Sequence, residues 1–94
     1  MISENDLNKL NSNDLENLFN KQSDEIKKVN SITNDNMLYL YKYYKQVTVG
    51  NINIKQPGFF DFKNKAKYEA WSSVKDVSKN LAMRKYILKT LELL

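Results

Sequence analysis

The chain has 94 residues, 15 lysines and arginines against 11 acids, a formal net charge of +4, and neither histidine nor cysteine. That length supports one domain with one core, while the missing imidazoles and thiols exclude disulfide frameworks, zinc sites of the usual kind and serine or cysteine triads. The carboxylates are scattered rather than paired, so no enzyme, no metal and no cofactor are expected.

Residues 1–12 are asparagine-rich, with Ile2, Leu7 and Leu10 the only candidates for packing, and read as a frayed or loosely docked leader ahead of a domain spanning 13–94. They carry neither the basic start nor the apolar core of a signal peptide, and no run in the chain is long and apolar enough for a membrane span. A cytoplasmic monomer without stable membrane insertion, open to transient membrane contact, is the expectation.

From Asn13, with Glu16 three residues on, a capping pattern opens a first helix over roughly 14–29, with Leu15, Leu18, Phe19, Gln22, Ile26 and Val29 at helical spacing. The polar segment NSITND links it to a second helix from about Asp35 to Val49, ended by Gly50. NINIKQPGFFDFKN then has no helical period, and Pro57-Gly58 marks a turn within it. Loops of that length pack their own side chains or serve function; Phe59, Phe60 and Phe62 favour a packed one, with Asp61 tying it down. A third helix is expected after Asn64 to about Lys75 with Trp71 in the core, then a break at Asp76–Val77 and a last helix capped by Ser78. The pattern is all-α, with one long connection that lets two neighbouring helices run in the same direction.

Charge is unevenly spread. Residues 1–26 hold six acids and two lysines, whereas residues 37–67 hold six lysines and one acid, Asp61. Tyr41, Tyr44 and Lys45 fall within one helical turn, and phenol rings beside an ammonium group suit a flat, negatively charged ligand better than a core.

The segments YKYYKQVTVGNIN, QPGFFDFKNKAKYEAW and SKNLAMRKYI resemble the acyl-CoA-binding protein family, from about Phe19 to Leu93. The resemblance implies a four-helix up-down-down-up bundle that holds long-chain fatty acyl-CoA non-covalently, buffering and carrying it. It implies that Tyr41 and Lys45 bind the 3′-phosphate, with Lys27 and the backbone near Ser23 opposite. Tyr44 and Lys67 would flank the adenine and its phosphates, Tyr86 would close the headgroup site, Met37, Leu38 and Tyr68 would line the acyl groove, and Lys63 would be an outer phosphate contact. Five positions depart from the family pattern: Tyr68 stands where tryptophan is common, Ser23 replaces a small apolar residue, Thr90 replaces a core aliphatic, and Leu88 and Leu91 stand where charge is usual. Lysines interleaved with aromatics also describe a single-stranded nucleic-acid platform, although the single arginine and the acidic first helix weigh against it. A protein-interaction module working through the last helix is the other alternative.

Overall fold

The computed structural model describes residues 2–94. It holds five helices and, among the described residues, no strand: α1 (Glu4–Asn8), α2 (Ser12–Ile26), α3 (Asn34–Thr48), α4 (Phe62–Ser72) and α5 (Lys79–Leu93). Among the described residues no helix is long and apolar enough to cross a membrane.

Cross-helix contacts give the direction of each helix. Near the start of α2 and α5, Asn80 donates to Ser12 at 2.9 Å; near their ends, Gln22 donates to Thr90 at 3.2 Å. These two helices therefore run parallel. Helix α3 runs against α5, because Lys89 near the end of α5 lies over Tyr39 near the start of α3, while Gln46 near the end of α3 donates to the Val77 carbonyl just before α5. Lys67 lies over Tyr41, and Lys45 over Trp71 one turn further along both helices, so α3 and α4 are parallel. The bundle of α2 to α5 is thus up, down, down, up. Its core joins Leu15, Phe19 and Ile26 of α2, Leu40 of α3, and Met83, Tyr86 and Ile87 of α5.

The first stretch, for which a frayed or a loosely docked leader is expected, holds a short capped helix. Ser3 caps α1 through a reciprocal bond with Asp6, whose carboxyl is held below the usual carboxylate range first by the Ser3 backbone N–H and then by its hydroxyl. The apolar content there is only Ile2, Leu7 and Leu10, yet Leu7 is completely buried in the core cluster. A single apolar side chain on a five-residue helix is too short a pattern to show periodicity, which is why the sequence reads as a leader. Leu88 and Leu91, which stand where charge is usual, are partly buried against the same cluster.

Capping explains the other boundaries. Helix α2 is capped by Asn11, which accepts from the Asp14 backbone at 2.8 Å, and not by Asn13. Helix α3 begins after Thr33 and ends where Gly50 takes φ +101°, a conformation that favours glycine, with its N–H bonded to the Lys45 carbonyl. Helix α4 starts at Phe62, three residues before the sequence suggests, because Asn64 is no cap: its amide donates to the Asp61 carboxylate at 2.9 Å. Ser78 caps α5 as expected, accepting from the Leu81 backbone at 3.2 Å.

The expected packing of the phenylalanines does not occur: Phe59, Phe60 and Phe62 are 73%, 81% and 71% exposed. Asp61 does not bridge the loop either, since its side chain is engaged by Asn64 within the same turn. The loop is anchored at its first residues instead. Asn51 accepts from Gln46 at 2.8 Å and from the Asp76 backbone at 2.8 Å, and donates to the Asp76 carboxylate at 3.0 Å. Trp71, 2% exposed, donates its indole N–H to the Gly50 carbonyl at 2.9 Å. The end of α3 is thereby fixed to the α4–α5 connection by side-chain bonds, and the remainder of the loop is left to solvent.

Candidate functional site

Two clefts meet along α3. The first, of about 260 Å³, is lined by Ser23, Ile26 and Lys27 of α2 and its end, by Ile32, by Met37, Leu40, Tyr41 and Tyr44 of α3, and by Tyr86 of α5. The second, of about 460 Å³, lies between α3 and α4 and is lined by Asn34, Met37, Leu38, Phe62, Lys63, Ala66 and Lys67. Met37, 56% exposed, belongs to both and forms the ridge between them. Lys67 joins them a second time, its ammonium 5.5 Å from the centre of the Tyr41 ring.

Helix periodicity produces this grouping. Met37, Tyr41 and Tyr44 recur at four and three residues and so share one face of α3, while Lys63 and Lys67, four apart, share the facing side of α4. The tyrosines are backed by Phe19 of α2: its ring is 4.8 Å from that of Tyr86 and 5.8 Å from that of Tyr44, and the two tyrosine rings are 6.1 Å apart. Three helices each contribute one ring, so the position of each ring is set by the packing of the others. Burial raises the pKa of Tyr86, partly offset by the Ser23 hydroxyl facing it, with Tyr44 pushing it further up. The phenol is therefore neutral and available as a hydrogen-bond donor at any ordinary pH.

Charge in the site is cationic and largely uncommitted. The ion pairs among the described residues are Lys27–Asp24, Lys28–Glu25, Lys79–Glu16 and Lys89–Glu92, which leaves Lys45, Lys63 and Lys67 without a carboxylate in reach. Lys45 rests 5.2 Å over the Trp71 ring instead. A cation over an aromatic face is held by about 0.5–1 kcal/mol where exposed and by about 2 kcal/mol where desolvated, as over the buried Trp71, whereas each charge-assisted bond to an anion is worth about 1.5–3 kcal/mol. Only an anion that accepts from a lysine in good geometry therefore competes with the ring beneath it. Lys27 is less free, because Asp24 lies 3.9 Å from its ammonium, but both groups are highly exposed and the pair is weak.

Of the residues expected at a site, Ser23, Lys27, Met37, Tyr41, Tyr44 and Tyr86 line the first cleft, and Met37, Leu38, Lys63 and Lys67 the second. Lys45 lines neither; it stands one turn beyond Tyr41 on α3, over Trp71. Tyr68, half-buried on α4, also lines neither cleft. Ile26 reads in the sequence only as part of an apolar helical spacing, and Ile32 and Asn34 as part of a polar connection, yet with Leu40 and Ala66 they complete the cleft walls. The signal is spacing: Ile26, Leu40 and Ala66 lie three residues from Ser23, Met37 and Lys63 on their helices. Phe19, the backing of the tyrosines, lies four before Ser23. Among the described residues no group of three or more metal-ligating side chains comes together.

Known proteins match this arrangement. The family model described as acyl CoA binding protein matches residues 16–90. The chain is 40% identical over 80 residues to acyl-CoA-binding domain-containing protein 6 of Danio rerio, covering 84% of this chain and 27% of that protein. To its namesake in Rattus norvegicus it is 55% identical over 53 residues, 56% of this chain and 19% of the relative. The chain thus spans about a quarter of the length of these relatives. Among solved structures, the acyl-CoA-binding protein of Moniliophthora perniciosa superposes with a TM-score of 0.79 at 42% identity, covering 83% of this chain and 78% of the other. Oryza sativa acyl-CoA-binding protein 2 gives 0.79 at 38% identity, covering 84% and 89%. With the family pattern spanning α2 to α5 and the same bundle found in proteins of that name, this chain belongs to the acyl-CoA-binding protein family.

Proposed function

We propose that the domain binds fatty acyl-CoA thioesters of medium to long chain length without reacting with them, buffering and carrying them within the cell. The observation that carries this reading is the junction at Met37 and Tyr41, where a tyrosine-walled cleft and a second, lysine-rimmed cleft meet beside three lysines that have no carboxylate partner.

The ligand's chemistry divides in the same way. In this reading the 3′-phosphate and adenine sit against Tyr41, Tyr44, Tyr86 and Lys45, with Lys27 and Ser23 opposite, and Lys67 and Lys63 take the remaining phosphates. Met37 and Leu38 shield the acyl chain, and Tyr68 walls the groove if α4 shifts onto the ligand. A sixteen-carbon tail at about 0.8 kcal/mol per methylene is worth near 12 kcal/mol gross, more than any one phosphate contact at about 1.5–3 kcal/mol. Association and ordering losses consume much of that sum, so the tail decides whether binding is tight and the lysines decide what is recognised. In this reading the thioester leaves as it arrived, the chain supplying contacts to the headgroup and tail rather than an activated nucleophile.

Native mass spectrometry of the protein incubated with an equimolar mixture of palmitoyl-CoA, ADP and a short single-stranded RNA tests the assignment. A one-to-one adduct with the mass of palmitoyl-CoA is expected to dominate. An RNA adduct in its place would favour the nucleic-acid reading and contradict this one.

A further inference from the structure

Large apolar side chains concentrate on solvent in one place, the end of the α3–α4 connection and the first residue of α4. Phe59 and Phe60 pack edge to face at 5.1 Å, yet both remain open to water, as does Phe62. Scattered exposed apolar residues are ordinary, but three large aromatics within four residues form a contiguous patch of the kind that marks a contact surface. The stretch also carries lysines: Lys65 lies 5.3 Å from the centre of the Phe59 ring, Lys63 shares the α3–α4 cleft wall with Phe62, and Lys55 precedes the turn in sequence. None of the three has a carboxylate within ion-pair reach, and the one acid of the stretch, Asp61, is engaged by Asn64.

The composition of the patch selects its occupant. A stable protein partner needs on the order of 20–30 residues on each side, far more than this short segment supplies. A bilayer needs only an aromatic wedge at the headgroup level and cations to hold an anionic surface. The patch is also continuous with the α3–α4 cleft, which Phe62 and Lys63 help to line.

We propose that Phe59, Phe60 and Phe62, with Lys65 over the Phe59 ring and Lys55 and Lys63 in the same stretch of chain, dock the domain on an anionic lipid bilayer, with the α3–α4 cleft opening toward the lipid. The docking stands on the patch alone; that it would place an acyl chain beside the membrane rests on the ligand reading above.

Vesicle flotation of the ligand-free protein tests it, using phosphatidylcholine vesicles with and without phosphatidylserine. The protein is expected to float with the anionic vesicles, to be released by high salt, and to associate far less with the neutral ones. The double variant Phe59→Ser/Phe60→Ser removes two rings that line neither cleft, so it is expected to lose vesicle binding by roughly tenfold or more while titrating palmitoyl-CoA as the parent does. Failure of the parent protein to float with anionic vesicles, or equal flotation of the variant, would overturn the proposal. So would a dimer in sedimentation equilibrium that the variant abolishes, since the patch would then serve a second copy, or tight single-stranded RNA binding lost in the variant. Vesicle binding without palmitoyl-CoA binding would leave the docking surface standing and remove the ligand reading.

Discussion

Truncating Trp71 to alanine removes the large side chain that seats α4 on the end of α3. The indole is 2% exposed and donates to the Gly50 carbonyl at 2.9 Å, and Lys45 rests on its face. Burial and cavity effects for such a truncation amount to about 3–5 kcal/mol, a large part of the 5–15 kcal/mol that stabilises a typical domain. Trp71→Phe separates the contributions. It keeps an aromatic ring beneath Lys45 but leaves the Gly50 carbonyl without its donor, a loss of about 1–2 kcal/mol, or roughly 5–15 °C in melting temperature for a domain of this size. Far-UV circular dichroism during thermal and urea unfolding measures both. If the phenylalanine variant melts with the parent, the bond to Gly50 contributes nothing. If the alanine variant loses less than about 1 kcal/mol, Trp71 is no part of the core and the seating of α4 has been misread.

Lys45→Ala and Lys67→Ala are each expected to weaken palmitoyl-CoA binding by about tenfold to a hundredfold, the range that one charge-assisted bond carries, with melting temperatures nearly unchanged; calorimetric titration and a melting curve on each variant check both halves. Thr90→Val leaves the buried Gln22 amide without its acceptor at 3.2 Å and should destabilise by about 1–3 kcal/mol in urea unfolding, with the double change Gln22→Leu/Thr90→Val recovering most of the loss. Burial lifts the Tyr86 pKa above its ordinary value near 10, so the unfolded chain releases that proton first. Stability is therefore level in this respect below about pH 10 and falls as pH rises beyond it, and Tyr86→Phe should lessen the alkaline fall in a melting series. Leu7→Ala should cost about 2 kcal/mol or more if α1 is held as its complete burial indicates, and unchanged urea unfolding would show that the helix is dispensable.

Much of the bundle was legible because its signals are local. Ser78 and Gly50 lie at helix ends for reasons that a few residues contain, and the apolar spacing of α2 and α5 points to the faces they bury. Where the sequence misled, the deciding contact was elsewhere. Asn13 and Asn64 look like caps, but Asn11 holds the first and the second donates back to Asp61. Three phenylalanines in a loop suggest packing, yet Asn51 and Trp71 already fix the loop's start, so nothing draws its end inward. The same limit applies at the site. Tyr41, Tyr44 and Lys67 stand out by residue type, whereas Phe19 comes to back the tyrosines, and Ile32 and Asn34 to line the clefts, only when the helices converge. The departures at Ser23 and Thr90 gain a physical account as well, since one hydroxyl faces Tyr86 and the other accepts from Gln22.

The central claim is that the lysine- and tyrosine-bearing clefts take a headgroup and an acyl chain together. Isothermal titration of the protein with palmitoyl-CoA and with free CoA, under the same buffer and salt, tests it most directly. The proposed binding mode predicts a one-to-one complex with palmitoyl-CoA that is tighter by orders of magnitude than the complex with CoA, with affinity rising along a series of chain lengths. Equal affinities for the two ligands would mean that no apolar groove is used, and the account would be wrong.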